Sequence, residues 1–481
     1  MTVVTPDWVR HAVFYQIFPD RFAQSKQVPK PSNLEPWDSP PTLYGFKGGD
    51  LIGIAERLDY LQDLGITAIY LNPIFQSTAN HRYHTHDYYR VDPILGGDVA
   101  FRLLLEQAHR RGMRVIIDGV FNHTGRGFYQ FNHALENGAA SPYLDWFYIR
   151  GFPLNAYDGY PQYECWWGIP ALPKLNVHTP AVREFIFGVA EYWMRFGADG
   201  WRLDVPGEID DDAFWQEFRE RVKRVNPEAY LVGEIWGEAH RWLRGDQFDA
   251  VMNYLFAKAC IGFCIGERMD AVLTSGLGYS PVPVLDGRGF AAALTRLLNL
   301  YDRAIVEVQL NLLDSHDTAR FLSIARGDEA ALRLAVLCQM TCPGAPSVYY
   351  GDEIGMLGGK DPDCRRTFTW ERERWNENLR AFYKAAIALR KRFRALRDGA
   401  FRVLDAADRW VAYLRQRDDE ALVVVLNAGQ QPLQLDVPLD APVNATHGEV
   451  VLGAKGDYAV QQQRLIGVRV PAREGVVIQL C

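Results

Sequence analysis

At 481 residues the chain is long enough for roughly three domains of ordinary size, or for one large domain with attachments. Hydrophobic residues make up 48% and charged residues 23%, a globular balance that excludes disorder and fibrous repeats. The 52 basic and 59 acidic residues leave a net charge of -7 with no block of like charge, so nucleic acid is not an expected partner.

In chain order, the first residues lack the basic and then apolar pattern of a secretory signal, and the expected location is the cytoplasm. Short β-branched or aromatic runs then alternate with amphipathic helical patterns, at 12–18, 68–71, 114–118, 200–204, 230–234, 250–254, 306–313 and 347–350. Eight such units predict an α/β chain folded as a (β/α)8 barrel. One helix should open at Thr179 with Pro180 in its first turn, bury Val182, Phe185, Ile186, Val189, Trp193 and Phe196, and stop at Gly197. Another should lie between Asp98 and Gly112. The uncharged stretch between Arg333 and Asp352 carries Gln339, Thr341, Pro343, Gly344 and Pro346, so it reads as a buried helix and strand, with no membrane span.

Two segments break the alternation. Residues 119–178, rich in Gly, Pro and aromatics, are too long for an ordinary loop and are expected to form an inserted subdomain over the barrel mouth. The barrel would then consist of residues 1–118 and 179–394. From 395 to 481 period-2 strands such as 409–415, 421–427 and 475–480 predict a C-terminal antiparallel β-sandwich. The seven cysteines, odd in number and irregularly spaced, fit reduced thiols better than a disulfide framework or a zinc site. Cys260 and Cys264 have the spacing of a buried helical face. Aromatic residues reach 13% of the chain, enough to supply flat surfaces for a ligand as well as core.

Chemistry in a barrel of this kind is expected at the C-terminal strand ends. The third run leads through Asp118 into Asn122 and His123; the fourth places Arg202 and Asp204 on one face, because strand side chains repeat every second residue. An arginine beside a buried Asp would keep it ionised, as a carboxylate nucleophile requires. The fifth ends at Glu234, close to the apolar bulk of Trp236, which would raise its pKa toward that of a general acid. The seventh ends Asp314-Ser-His-Asp317. Each motif alone has a structural explanation as a cap, turn or salt bridge. Three carboxylates converging on one mouth with Arg202, His123 and His316 have none, whereas glycoside hydrolysis needs such a pair.

Asp118-Gly-Val-Phe-Asn-His123, Gly200-Trp-Arg-Leu-Asp204, the Glu234 segment and Leu313-Asp-Ser-His-Asp317 together resemble the four short conserved regions of the α-amylase family of glycoside hydrolases, family 13. Leu172-Pro-Lys-Leu-Asn176 is similar to the fifth region of its cyclomaltodextrinase, maltogenic amylase and neopullulanase group. The resemblance implies Asp204 as nucleophile, Glu234 as general acid/base and Asp317 as the third carboxylate. It implies substrate contacts from Tyr83, Asp87, His123, Arg202, Glu208, His316, Asp361 and Arg365. In the insertion, one of Trp166 and Trp167 is expected to face the cleft. The implied activity is retaining cleavage of α-1,4-glucosidic bonds in malto-oligosaccharides and cyclodextrins, with transglycosylation and some α-1,6 activity. An α-glucosidase or glucosyltransferase of the same family is the alternative, and a non-catalytic interaction protein a remote one.

Two departures from the group stand out. Calcium-dependent relatives carry His four residues after the nucleophile, whereas here the residue is Glu208, as in the cyclomaltodextrinases, so no cofactor is expected and the family's calcium is in doubt. The stretch leading to it is Val205-Pro206-Gly207, which alters the acceptor side. No metal is expected at His81, His84 and His86, whose loop belongs to sugar binding with Tyr83. The first barrel run begins near residue 12, leaving no room for that group's N-terminal domain; the expectation is a monomer, or a dimer built differently.

Overall fold

A computed structural model describes residues 3–276, 280–418, 420–439 and 445–481. Its centre is a parallel eight-stranded sheet: β1 (Phe14–Ile17), β2 (Ala68–Leu71), β3 (Arg114–Gly119), β4 (Gly200–Leu203), β5 (Tyr230–Gly233), β6 (Ala250–Val251), β7 (Leu310–Leu312) and β8 (Ala345–Tyr349). The strands adjoin in the order β6-β5-β4-β3-β2-β1-β8-β7, and a parallel bridge between Met252 and Leu310 closes the ring. β1, β2, β4, β5 and β8 are buried along their whole length. Strands covered on both faces read as continuous apolar runs, which is why they stand out in the sequence. Gly200 permits the close pairing of β4 with β5, since a Cβ there would lie 2.2 Å from the Tyr230 carbonyl oxygen.

Two strands are shorter than their apolar runs by three residues or more because a helical turn replaces part of the run. The sixth ends at Val251, and the next residues turn into the helix Tyr254–Cys260, whose N-cap Asn253 accepts the Phe256 N–H. The seventh begins only at Leu310, because Asp302 caps a helical turn at Arg303–Val306. Apolar runs alone do not separate a buried strand from a buried helical turn. The helix Pro180–Phe196 starts at Thr179 and ends at Gly197 (φ 122°), and the Thr179 hydroxyl donates to Asp145 O across the insertion at 2.6 Å instead of capping its own helix. The helix Gly97–Arg110 begins after Gly96, one residue before Asp98, whose carboxylate accepts the Val91 N–H.

Between β3 and the helix at Pro180, the chain forms the helix Tyr129–Asn137 and a set of short antiparallel bridges, His123 with Lys174, Phe147 with Leu175, Ile149 with Tyr163 and Cys165 with Pro173. The first of these joins the chain just after β3 to the segment around Leu172, so the insertion returns to the barrel mouth. After the barrel come β9 (Ala400–Ala407), β10 (Trp410–Arg417), β11 (Glu420–Asn427), β12 (Leu433–Pro438), β13 (His447–Leu452), β14 (Asp457–Gln461), β15 (Arg464–Val470) and β16 (Gly475–Leu480). They pair antiparallel in the order β9-β10-β11-β16-β13-β14-β15-β12, around a second apolar cluster that includes Leu414, Val423, Leu465 and Ile478.

Buried Arg415 on β10 joins this unit to the barrel, donating to the carbonyl of Thr341 at the C-terminal end of the helix Glu329–Thr341, beside Arg390 of the last barrel helix, which donates to the carbonyls of Met340 (3.1 Å) and Cys342 (3.0 Å). There a cation both satisfies orphan carbonyls and meets the negative end of the helix dipole. No helix among the described residues is long and apolar enough to cross a membrane.

Candidate active site

The buried guanidinium of Arg202 organises the barrel mouth. Its Nη1 donates to both carboxylate oxygens of Asp118, at 2.9 and 3.0 Å, and to Asp204 Oδ1 at 2.9 Å. Its Nη2 lies 2.9 Å from Glu234 Oε2, an ion-pair contact at an angle too poor for a hydrogen bond. One fixed cation thus faces three carboxyl groups at the ends of β3, β4 and β5. Asp204 and Glu234 follow their strands directly, with backbone N–H groups on Gly119 O and Leu203 O at 3.0 and 2.9 Å. The chain then turns sharply: Val205 takes a left-handed conformation (φ 36°, ψ 49°), strained for a β-branched residue. In that turn the Val205 N–H reaches Glu234 Oε2 at 3.1 Å.

Burial raises the pKa of both Asp204 and Glu234, and that of Asp204 well above the carboxylate range. Arg202 opposes the rise, but Asp118 takes two of its hydrogen bonds. Arg202 is thus a shared cation: Asp118 and Asp204 compete for the same Nη1, while Glu234 faces Nη2. The reading of Trp236 changes. Its indole N–H donates to Glu234 Oε1 at 3.1 Å while its ring stacks on Tyr254, centroids 3.7 Å apart. Trp236 therefore favours the ionised form, and burial is what lifts the pKa.

The third carboxylate, Asp317, is partly open to the cleft. Its Oδ2 is 3.1 Å from His316 Nε2 and its Oδ1 accepts from Arg365 Nη2 at 3.1 Å; Arg365 Nη1 also binds Asp361 Oδ1 at 3.0 Å. His316 is held neutral, its pKa pushed well down by burial and by Arg365 and Arg202. Gln16 Nε2 donates to His316 Nδ1 at 2.8 Å and to Asn72 Oδ1 at 3.0 Å, which leaves the imidazole proton on Nε2. That N–H points at Tyr83 Oη, 2.6 Å away, and Tyr83 in turn donates to Asp118 Oδ2 at 2.8 Å. The Tyr83 and His316 rings lie 5° from parallel.

On the insertion side, Asn122 donates to His123 Nδ1 at 3.2 Å, so the buried Nε2 of His123 carries the proton. Burial pushes the His123 pKa down to about 3. Its ring stacks on Trp166, which stacks on Trp167, with centroids 5.2 and 4.5 Å apart. Trp167 is 67% exposed. The two tryptophans thus continue one aromatic column outward from His123.

The remaining sequence candidates fall outside the cluster. Asp87 lies in the hairpin formed by Phe75–Ser77 and Thr85–Val91, where its carboxylate accepts the Tyr89 N–H at 2.8 Å, a turn-forming role. Glu208 points to the insertion: Lys174 Nζ lies 3.0 Å from its carbonyl oxygen and 3.7 Å from its carboxylate. This ammonium takes the Glu208 carbonyl oxygen in the turn after Asp204. Among the described residues no three His, Cys, Asp or Glu side chains are grouped to hold a metal. The sequence reading passed over Gln16, Tyr70 and Asn72, polar groups in or just beyond the apolar runs of β1 and β2. Tyr70 also donates to Asp118 Oδ2, at 2.8 Å. A polar side chain in a strand buried on both faces was the available signal.

A closed parallel barrel with three carboxyl groups, a shared arginine and neutral histidines at its C-terminal mouth defines a glycoside hydrolase of the (β/α)8 class. The description "Alpha amylase, catalytic domain" matches residues 16–394, and the chain belongs to the α-amylase family, enzymes that act on α-glucans. It is similar to the cyclomaltodextrinase of Geobacillus thermopakistaniensis strain MAS1, 45% identical over 440 residues, 91% of this chain and 72% of that one. It is also similar to neopullulanase 2 of Thermoactinomyces vulgaris, 45% identical over 462 residues, 94% of this chain and 76% of that one. Among solved structures, the debranching enzyme of Nostoc punctiforme matches with a TM-score of 0.93 and 49% identity, over 99% of this chain and 100% of that chain.

Proposed function

We propose that the protein is a retaining hydrolase of α-1,4-glucosidic bonds in malto-oligosaccharides and cyclodextrins, with transglycosylation and some α-1,6 cleavage. The observation that carries the reading is the single Arg202 guanidinium touching both Asp204 and Glu234. Two carboxylates on one fork support the short separation of about 5–5.5 Å used by retaining enzymes over the roughly 6.5–9.5 Å of inverting ones. Glu234 carries the catalytic proton when substrate binds. Glu234 gives it to the glycosidic oxygen, an Asp204 oxygen bonds to the anomeric carbon, and the leaving chain departs as an alcohol. Glu234, now a carboxylate, takes a proton from water; the water oxygen displaces Asp204, and two inversions retain the α configuration. A sugar hydroxyl in place of water gives transfer. Asp317, His123 Nε2 and the Tyr83–His316 pair bind the sugar at the cleaved bond, and Asp361 with Arg365 the next one on the non-reducing side.

The named relatives act as support for cyclodextrin and α-1,6 substrates, each by its own name. The test is chromatography of products from maltotriose, β-cyclodextrin and pullulan. Maltose or panose should lead, with cyclodextrin and short chains cleaved faster than long starch. Glucose released alone at the first cut would favour the α-glucosidase instead, and faster attack on starch would sink the subgroup assignment.

The reading includes no calcium, because the Lys174 ammonium holds Glu208. Treatment with EDTA should therefore leave activity unchanged and the melting temperature within about 1 °C. A large drop restored by calcium alone would refute it.

A further inference from the structure

Residues 23–50 contain no helix or strand, yet they are held as firmly as an element. Lys47, fully buried, aims its ammonium at Pro36 O (2.8 Å), Ser39 O (2.7 Å), Ser39 Oγ (2.5 Å) and Glu35 Oε2 (3.3 Å). The Glu35 N–H closes the base of the loop on Phe46 O at 2.9 Å, and Trp37 Nε1 ties it to Phe368 O at 3.0 Å. Burying a charge is costly unless it is fully bonded, so this loop is built to a shape. What the shape presents is its tip, Leu43 and Tyr44, exposed to 57% and 88%. That exposed pair is the apolar surface the fixed loop offers to a ligand.

The backbone around the tip is pinned from the site. Asn80, three residues before Tyr83, donates its Nδ2 to Leu43 O and Gly45 O, at 3.0 and 2.9 Å, one on each side of Tyr44. Arg21 binds Gly45 O with Nη2 at 2.9 Å and Arg365 O with Nη1 at 3.1 Å. The tip and the Arg365 backbone thus hang on one guanidinium, while the Arg365 side chain spans Asp317 and Asp361.

We propose that Tyr44, with Leu43 beside it, is a stacking platform for an α-glucan chain, taking the glucosyl unit beyond the one held by Asp361 and Arg365. The proposal rests on the hydrolase reading above. A flat aromatic face meets the C–H face of a pyranose, and rigidity of the loop lowers the ordering cost of binding. The experiment compares Tyr44→Ala, Tyr44→Phe and the unaltered enzyme on maltoheptaose and maltotriose. In Tyr44→Ala the ratio of kcat/KM for maltoheptaose to that for maltotriose should fall about three- to tenfold, while Tyr44→Phe keeps it. An unchanged ratio in Tyr44→Ala, or an equal fall in Tyr44→Phe, overturns the platform while leaving the hydrolase reading in place. An unaltered enzyme that cleaves neither substrate overturns both.

Discussion

Asp204→Asn should lower kcat by about 10⁴-fold or more and, at neutral pH, raise the melting temperature by about 1–4 °C. The first effect follows from removing the oxygen that bonds to the anomeric carbon. The second follows from burial, which lifts the Asp204 pKa well above its unfolded value. The folded state then binds more protons than the unfolded one from about pH 4 upward, so this group's contribution to stability falls as pH rises through that window. A neutral amide removes the cost, and Arg202 keeps Asp118 and Glu234 as partners. The stabilisation should therefore shrink as the pH is lowered to about 4 and vanish below about 3, where Asp204 is protonated in both states. Steady-state kinetics and melting curves at pH 4 and 7 check both parts. Near-normal turnover would remove Asp204 from the nucleophile's role; equal stabilisation at both pH values would contradict a burial-raised Asp204 pKa.

Arg202→Met has the opposite consequence for the fold. Three buried carboxyl groups would lose their common cation, a loss of about 3–5 kcal/mol for breaking a buried ionic cluster. Activity should vanish as well, since Asp204 would keep its proton. The carboxyl pKa values, already raised by burial, would rise further, so stability should be partly regained as the pH is lowered. Arg202→Lys keeps the charge without the fork that binds Asp118 and Asp204 from one nitrogen, and should retain more stability than Met while losing most activity. Denaturant unfolding at pH 5 and 7.5 separates these outcomes; a Met variant as stable as the parent at pH 7.5 would show that Arg202 does not hold the mouth together.

Both variants address side chains that local sequence rules could place. Arg202 and Asp204 lie on one face because a strand repeats every second residue, and eight apolar runs stand out because barrel strands are buried on both sides. The glycine, proline and aromatic character of residues 119–178 likewise marked an insertion. Where neighbouring rules competed, local reading failed: near Arg303 and Tyr254 a helical cap shortened the strand that hydrophobicity had extended.

What the sequence by itself determined, then, was the barrel, its order of carboxylates and the family, since these depend on short-range periodicity and contiguous motifs. Only the tertiary structure decided how the charges are shared. Asp118 competes for Arg202, Gln16 sets the proton on His316, Trp236 donates to the carboxylate it was expected to desolvate, and Lys174 occupies the Glu208 turn. The Lys47 loop, whose Gly45 carbonyl shares Arg21 with that of Arg365, belongs to the same class. Each depends on distances between groups far apart in the chain, and a pKa or a hydrogen bond is fixed by those distances and by the exclusion of water, neither of which is encoded at any one position.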